Sequence, residues 1–227
     1  MALAHSPKII TNGLVVYLDA TNRKSMSSGS TKWSDLIGGY HANQVGTPST
    51  IVSVDPSYAQ DFTDSNYYQI SNLAGPGTSD LTFSFWVYFT DVTTQASTIL
   101  TLDSGGSAQF IVRVNFSNSS TVYLNGSGAT QFALTFADAF LINNWYNIVV
   151  TRKSNVFNAY RNSVKSGSSG TITDSFSGTP TYTLGKLLVA GGQYLLGRYG
   201  AFQYYNRGLT DSEIEQNFNA LRGRFGV

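Results

Sequence analysis

The chain has 227 residues, 14% of them aromatic and only 12% charged, with a net charge of +1 and no cysteine. That composition argues against disorder. The scattered basic residues form no stripe for nucleic acid, and without cysteine there is no disulfide framework or thiolate chemistry. The start, MALAHSPKII, has no signal-peptide layout, and no run approaches the ~18 apolar residues that would span a membrane.

In chain order, residues 1–12 form an extended arm in which Pro7 resists helix. A single domain is expected over residues 13–227, beginning with a strand from Gly13 to Asp19. Thr21 to Lys32 is polar and reads as a loop. Asp61 to Ile70 passes from a turn into a strand. In Leu81 to Phe89, five apolar residues alternate with Thr82, Ser84, Trp86 and Tyr88, the pattern of a strand with two unlike faces. Gln109 to Phe116 and Thr121 to Asn125 alternate in the same way, and Asn125-Gly126 is a hairpin turn signal. Trp145 to Arg152 and Val156 to Val164 predict a hairpin about Ser154-Asn155, followed by a Ser/Gly loop over Lys165 to Gly170. Strands and turns at this spacing predict an all-β fold, a two-sheet antiparallel sandwich.

One short C-terminal helix closes the chain. Thr210 and Glu213 form a capping box. Ile214, Phe218 and Leu221 share one face, and Gly223 is the expected stop.

Five segments in order resemble the laminin-G-like jelly rolls of the concanavalin A-like lectin/glucanase superfamily: GLVVYLDA from Gly13, WSDL from Trp33, LTFSFWV from Leu81, WYNIVVT from Trp145 and YNRGLTDSEI from Tyr205. The resemblance implies a concanavalin A-like jelly-roll sandwich. The two ends, SPKIITNGLVVYLDA and SEIEQNFNALRGRF, further resemble virion structural proteins of tailed, especially marine, bacteriophages. This implies a non-enzymatic role on the virion surface, as capsid decoration or as a neck or tail accessory, for a protein made in the host bacterial cytoplasm. Its partners would be other virion proteins and further copies of itself, with no nucleic acid and no membrane insertion.

The superfamily also contains glucanases, whose strand-borne E-x-D-x-E pattern places two carboxyls about 5–5.5 Å apart for retaining hydrolysis. Here both glutamates, Glu213 and Glu215, fall on the helix, two apart and not facing each other. No catalytic residues are therefore expected, and a polysaccharide-cleaving enzyme is the weakest reading. His41 follows Tyr40 in a loop and reads as a locally bonded side chain.

Relatives often bind Ca2+ at the sandwich rim. Asp64 and Asp103 stand in loop-like sequence but read first as turn formers. Gly200-Ala201 supplies no carboxylate where many relatives carry D-E. Calcium is thus the one cofactor the resemblance leaves open.

The alternative function is a carbohydrate-binding module for host-surface glycans. Trp86, Tyr88, Arg113, Asn115 and Tyr123 all oppose the large apolar residues of their strands. If those strands share a sheet, they form one aromatic and hydrogen-bonding glycan face. The competing reading packs Trp86 beneath a loop.

Overall fold

The computed structural model describes residues 7–27, 29–47, 51–54, 57–62, 66–94, 96–115, 118–126, 131–188 and 193–227. In chain order the strands are β1 (Leu14–Asp19), β2 (Lys32–Trp33), β3 (Ala42–Gly46), β4 (Ile51–Val54), β5 (Ser57–Phe62) and β6 (Asn66–Ile70). Next come β7 (Leu81–Phe89), β8 (Ser97–Ser104), β9 (Ser107–Asn115), β10 (Asn118–Gly126) and β11 (Gln131–Thr135). The last are β12 (Trp145–Lys153), β13 (Val156–Arg161), β14 (Val164–Thr171), β15 (Thr181–Leu184) and β16 (Gly197–Tyr205), before the helix α1 (Asp211–Phe225).

They form two antiparallel sheets. The first runs β14-β13-β12-β7-β16-β5-β4, with β1 also paired to β16; the second runs β11-β10-β9-β8-β15-β6-β3-β2. The main core lies between them. Phe83, Phe85, Val87, Ile148, Val150 and Phe202 of the first sheet meet Leu100, Leu102, Phe110, Val112, Val122 and Leu184 of the second. The alternation in β7, β9 and β10 therefore points as the sequence predicts.

Glycine lets β16 exchange neighbours. Its first half pairs with β5 at Gly197, Arg198 and Tyr199, and its second half pairs with β1 from Ala201 to Tyr205. The ladder to β7 shifts register between Tyr199 and Ala201, so Gly200 is an inserted bulge residue. A Cβ there would collide with the ring of Phe225.

The hairpins use turns whose twist matches the strands. Ser154 and Asn155 both have positive φ (49° and 64°), as do Asn162 and Ser163 (50° and 64°), which is the two-residue type I′ pattern. The second turn splits the expected Val156–Val164 strand in two. The Ser/Gly stretch that follows is not a loop but the edge strand β14. Backbone pairing to β13 holds it, although its side chains carry no strand signal. Asn125-Gly126 is likewise not a turn: β10 runs through both residues, opposite Ile111 and Phe110 of β9.

The helix begins as expected. Thr210 accepts from the Glu213 amide, and the Glu213 carboxylate accepts from the Thr210 amide. It ends three residues later than Gly223 suggests, at Gly226 in the left-handed conformation (φ 70°). The extra turn places Phe225 on Trp86, ring centroids 4.3 Å apart. That burial outweighs the ~1 kcal/mol cost of glycine within a helix.

A second, smaller core fills the outer face of the first sheet. Leu14, Tyr17, Trp86, Trp145, Tyr160, Ala201 and Tyr205 pack beneath Ile214, Phe218, Leu221 and Phe225. The described part of the arm joins it. The Ile10 amide donates to Asn217 Oδ1 (2.7 Å), Tyr205 Oη donates to the Ile10 carbonyl (3.0 Å), and Asn217 Nδ2 donates to Tyr205 Oη (3.0 Å). Gln216 Nε2 reaches the Lys8 carbonyl and Arg207 Nε the Asn12 carbonyl. Residues 8–12 are thus held on their own domain.

Asn217 is the middle of this chain of bonds and is buried. Asn217→Ala leaves the Ile10 amide without its acceptor and is expected to cost roughly 1–3 kcal/mol in urea-induced unfolding. The Arg207 guanidinium, bonded to both carboxylate oxygens of Glu213 (2.9 and 2.7 Å), pulls the pKa of that carboxyl from 4.5 to about 2. The depressed value means the pair stabilises the fold above pH 4.5, and this contribution fades as pH falls towards 2. In acid titrations of stability, Glu213→Gln should flatten the loss over that window.

Candidate functional site

The outer face of the second sheet carries the most hydrogen-bonding groups. Across it, aligned by strand pairing, runs a row of Asn43, Gln69, Thr183, Thr101, Ile111 and Asn125. Their neighbours along each strand point into the core, so this row points away from it. Arg113 and Tyr123 face each other one step along, with Thr98 opposite Arg113. The Arg113 guanidinium lies 6.0 Å from the Tyr123 ring centroid and donates through Nη1 to Gln193 Oε1 at 2.9 Å. Burial lowers the pKa of Arg113, partly offset by Tyr123.

Asp103 is buried on this face. Its Oδ2 lies 2.8 Å from the Thr101 hydroxyl and accepts from Thr183 at 3.1 Å. Thr101 also lies 3.0 Å from the Lys186 carbonyl, and its one proton serves only one of the two acceptors. Burial raises the Asp103 pKa, against the lowering effect of the two threonines. The segment after β15 borders the site: Lys186 pairs with Tyr194, and its ammonium sits 4.6 and 4.8 Å from the rings of Tyr67 and Tyr194.

Among the described residues, five buried polar atoms here, Thr98 Oγ1, Asp103 Oδ1, Gln109 Oε1, Arg113 Nε and Asn125 Oδ1, have no partner. Buried polar atoms normally have one. Together with the half-buried ring of Tyr123, they offer a surface that water or sugar hydroxyls can satisfy. Sequence reasoning found Arg113 and Tyr123 by alternation but missed Thr98, Thr101, Asp103, Asn125 and Gln109. Asn125 was lost to its reading as a turn, Asp103 to its reading as a loop residue.

The expected single glycan face is not formed. Trp86 and Tyr88 lie on the first sheet, whereas Arg113 and Tyr123 lie on the second, with the core between them. Asn115 belongs to β9, but its side chain lies outside the described residues. Trp86 is 1% exposed, stacked on Phe218 (5.8 Å) and Phe225 (4.3 Å). The helix, rather than a loop, covers it, because the apolar face of α1 needs an apolar floor. Tyr88 emerges at the helix margin, half-buried against Trp145.

Asp103 is not a turn former at a rim but a strand residue facing two threonines, and no three of His, Cys, Asp or Glu gather among the described residues. Asp64 lies outside the described residues. Asp35 instead organises the WSDL segment, accepting from the amides of Tyr17, Ile37, Gly38 and Tyr40. Nδ1 of His41 accepts from the Asp35 amide at 3.1 Å, a locally bonded loop histidine.

This architecture is that of a lectin-like jelly roll. A family model described as the concanavalin A-like lectin/glucanases superfamily matches residues 62–215, and the chain belongs to that family. Among solved structures it is similar to domain 4 of AbnA, a GH43 extracellular arabinanase from Geobacillus stearothermophilus, in complex with arabinotriose. Identity is 14% and the TM-score 0.70, over 91% of this chain and 98% of that one. It is also similar to Trypanosoma rangeli sialidase in complex with the inhibitor DANA, at 15% identity and a TM-score of 0.67, over 95% of this chain and 35% of that one. The chain thus spans that whole arabinanase domain but about a third of the sialidase. At these identities the likeness is one of fold. No curated protein matches the sequence.

With Trp86 inside a stack of rings, Trp86→Ala should destabilise the protein by about 3–5 kcal/mol, read as a drop in thermal midpoint.

Proposed function

We propose that this chain is a non-catalytic glycan-recognition domain displayed on the surface of a tailed bacteriophage virion. The observation that carries the glycan part is the outer face of the second sheet. Hydroxyls, amides, a guanidinium and a tyrosine ring converge there, and five of its buried polar atoms lack partners among the described residues. Sugars present hydroxyl edges and apolar C–H faces, which such a mixture matches. The similarity to an arabinanase domain solved with arabinotriose is in keeping with this reading.

Absence of catalysis is supported by the carboxylates. Asp103 is the single acidic residue in the eight strands of the second sheet, where retaining hydrolysis needs a pair about 5–5.5 Å apart. Both glutamates lie in α1, across the core. The virion setting rests on the phage-like sequence of the two end segments, which bond to each other through Ile10 and Asn217. On this reading the partners are other virion proteins and further copies of the chain.

A glycan array probed with the purified protein tests the proposal. Binding to a defined glycan class is expected, with Arg113→Ala and Tyr123→Ala each weakening it about tenfold, roughly 1.4 kcal/mol, at unchanged melting temperature. A reducing-end assay on the bound glycans should show no turnover. An array with no binding, or turnover abolished by Asp103→Asn, would overturn the reading.

A further inference from the structure

The first sheet carries a second row, of which α1 covers Trp145 and leaves Tyr88, Arg198 and Asp61 half-buried at its margin. Trp145, Tyr88, Arg198 and Asp61 stand directly opposite one another across β12, β7, β16 and β5. They alternate with core residues, so all four point outward on the helix side, one step beyond the row that holds Trp86. The Arg198 guanidinium lies over the Tyr88 ring, 5.0 Å from its centroid, and only its Nε is engaged, donating to Asp61 Oδ1 at 3.0 Å. Among the described residues neither terminal nitrogen of Arg198 has an acceptor, while its side chain is 25% exposed and that of Asp61 33% exposed. Beside them the Tyr88 hydroxyl donates to Asn143 Oδ1 at 3.3 Å.

We propose that this row is a second ligand site, separate from the outer face of the second sheet, and that it takes a neutral sugar through a vicinal diol. The chemistry favours a neutral polyol over an anion. Asp61 already balances the charge of Arg198, and an approaching anion would meet that carboxylate. A diol uses both groups at once: its oxygens accept from the two guanidinium nitrogens in their fixed fork, and one of its protons goes to Asp61 Oδ2. Tyr88 and Arg198, stacked on each other, keep the fork from swinging away. The site sits on the far side of the core from Arg113 and Tyr123, so the proposal stands whether or not the second sheet binds glycan.

Saturation-transfer NMR tests it with three neutral probes, methyl α-D-mannopyranoside, methyl β-D-galactopyranoside and arabinotriose, and one anionic probe, methyl β-D-glucuronide. The probes are applied to the Arg113→Ala/Tyr123→Ala double variant, in which the outer face of the second sheet is disabled, and at least one neutral probe should receive saturation from it; the following substitutions are made in that background. Arg198→Lys, which keeps the charge but loses the fork, should cut the signal at least fivefold, as should Asp61→Asn. Tyr88→Phe, which keeps the ring, should retain it. If Asp61→Asn fails to fold, Arg198→Lys alone decides. No transfer from any neutral probe, signals indifferent to Arg198→Lys, or preferential binding of the glucuronide would each overturn the proposal. Transfer seen with the wild-type protein but absent from the Arg113→Ala/Tyr123→Ala double variant would assign the binding to the other sheet instead.

Discussion

The stack of Phe218, Trp86 and Phe225 is the contact on which the rest of the molecule's outer surface depends. The first sheet presents an apolar strip on its outer side, with Trp86, Val149, Tyr160 and Ala201 all buried. Water cannot face such a strip cheaply, so something must cover it. The helix does so, and its own apolar face has no other place to go. Once it is seated, residues 8–12 are drawn in along it, and the bonds from Asn217 and Gln216 fix them there.

That cover divides the functional chemistry of the two sheets. On the first, the helix takes the middle of the outer face, over Trp86 and Trp145, and leaves Tyr88, Arg198 and Asp61 half-buried at its margin. On the second, no element of comparable size lies across β8, β9 and β10 among the described residues, and the exposed side chains are hydrogen-bonding groups set around Tyr123. One domain therefore offers two polar surfaces of different make-up. The first is a charge-balanced pair against a ring; the second is a broad field of hydroxyls and amides with a buried carboxylate.

Much of the fold was readable from residue pattern. The inward positions of β7, β9 and β10, the capping box at Thr210 and the turn at Ser154-Asn155 all follow from short-range signals that the structure repeats. What misled were positions where backbone pairing overrides side-chain character. The Ser/Gly run forms β14 because β13 offers it a ladder, and Asn125-Gly126 stays extended because β9 continues opposite it. The candidate site suffered from a different blindness. Alternation tells which residues of a strand share a face, but not which strands share a sheet. It grouped Trp86 with Tyr123 although the whole core separates them, and it read Asp103 as a turn because nothing local announces Thr183 beside it.

The placement of β16 has a consequence for the order in which the protein can fold. This strand lies between β7 on one side and β1 and β5 on the other, yet it is the last strand made. Leu14 waits for Tyr205, and until then β1 and β5 have no neighbour through which to reach β7. A chain emerging from the ribosome can close the β12–β13 and β8–β9–β10 hairpins early, since those contacts are local. The first sheet stays in three unjoined pieces until β16 has been made. Completion of the fold is then a late, long-range event, of the kind that slows folding and leaves strand edges open in the meantime.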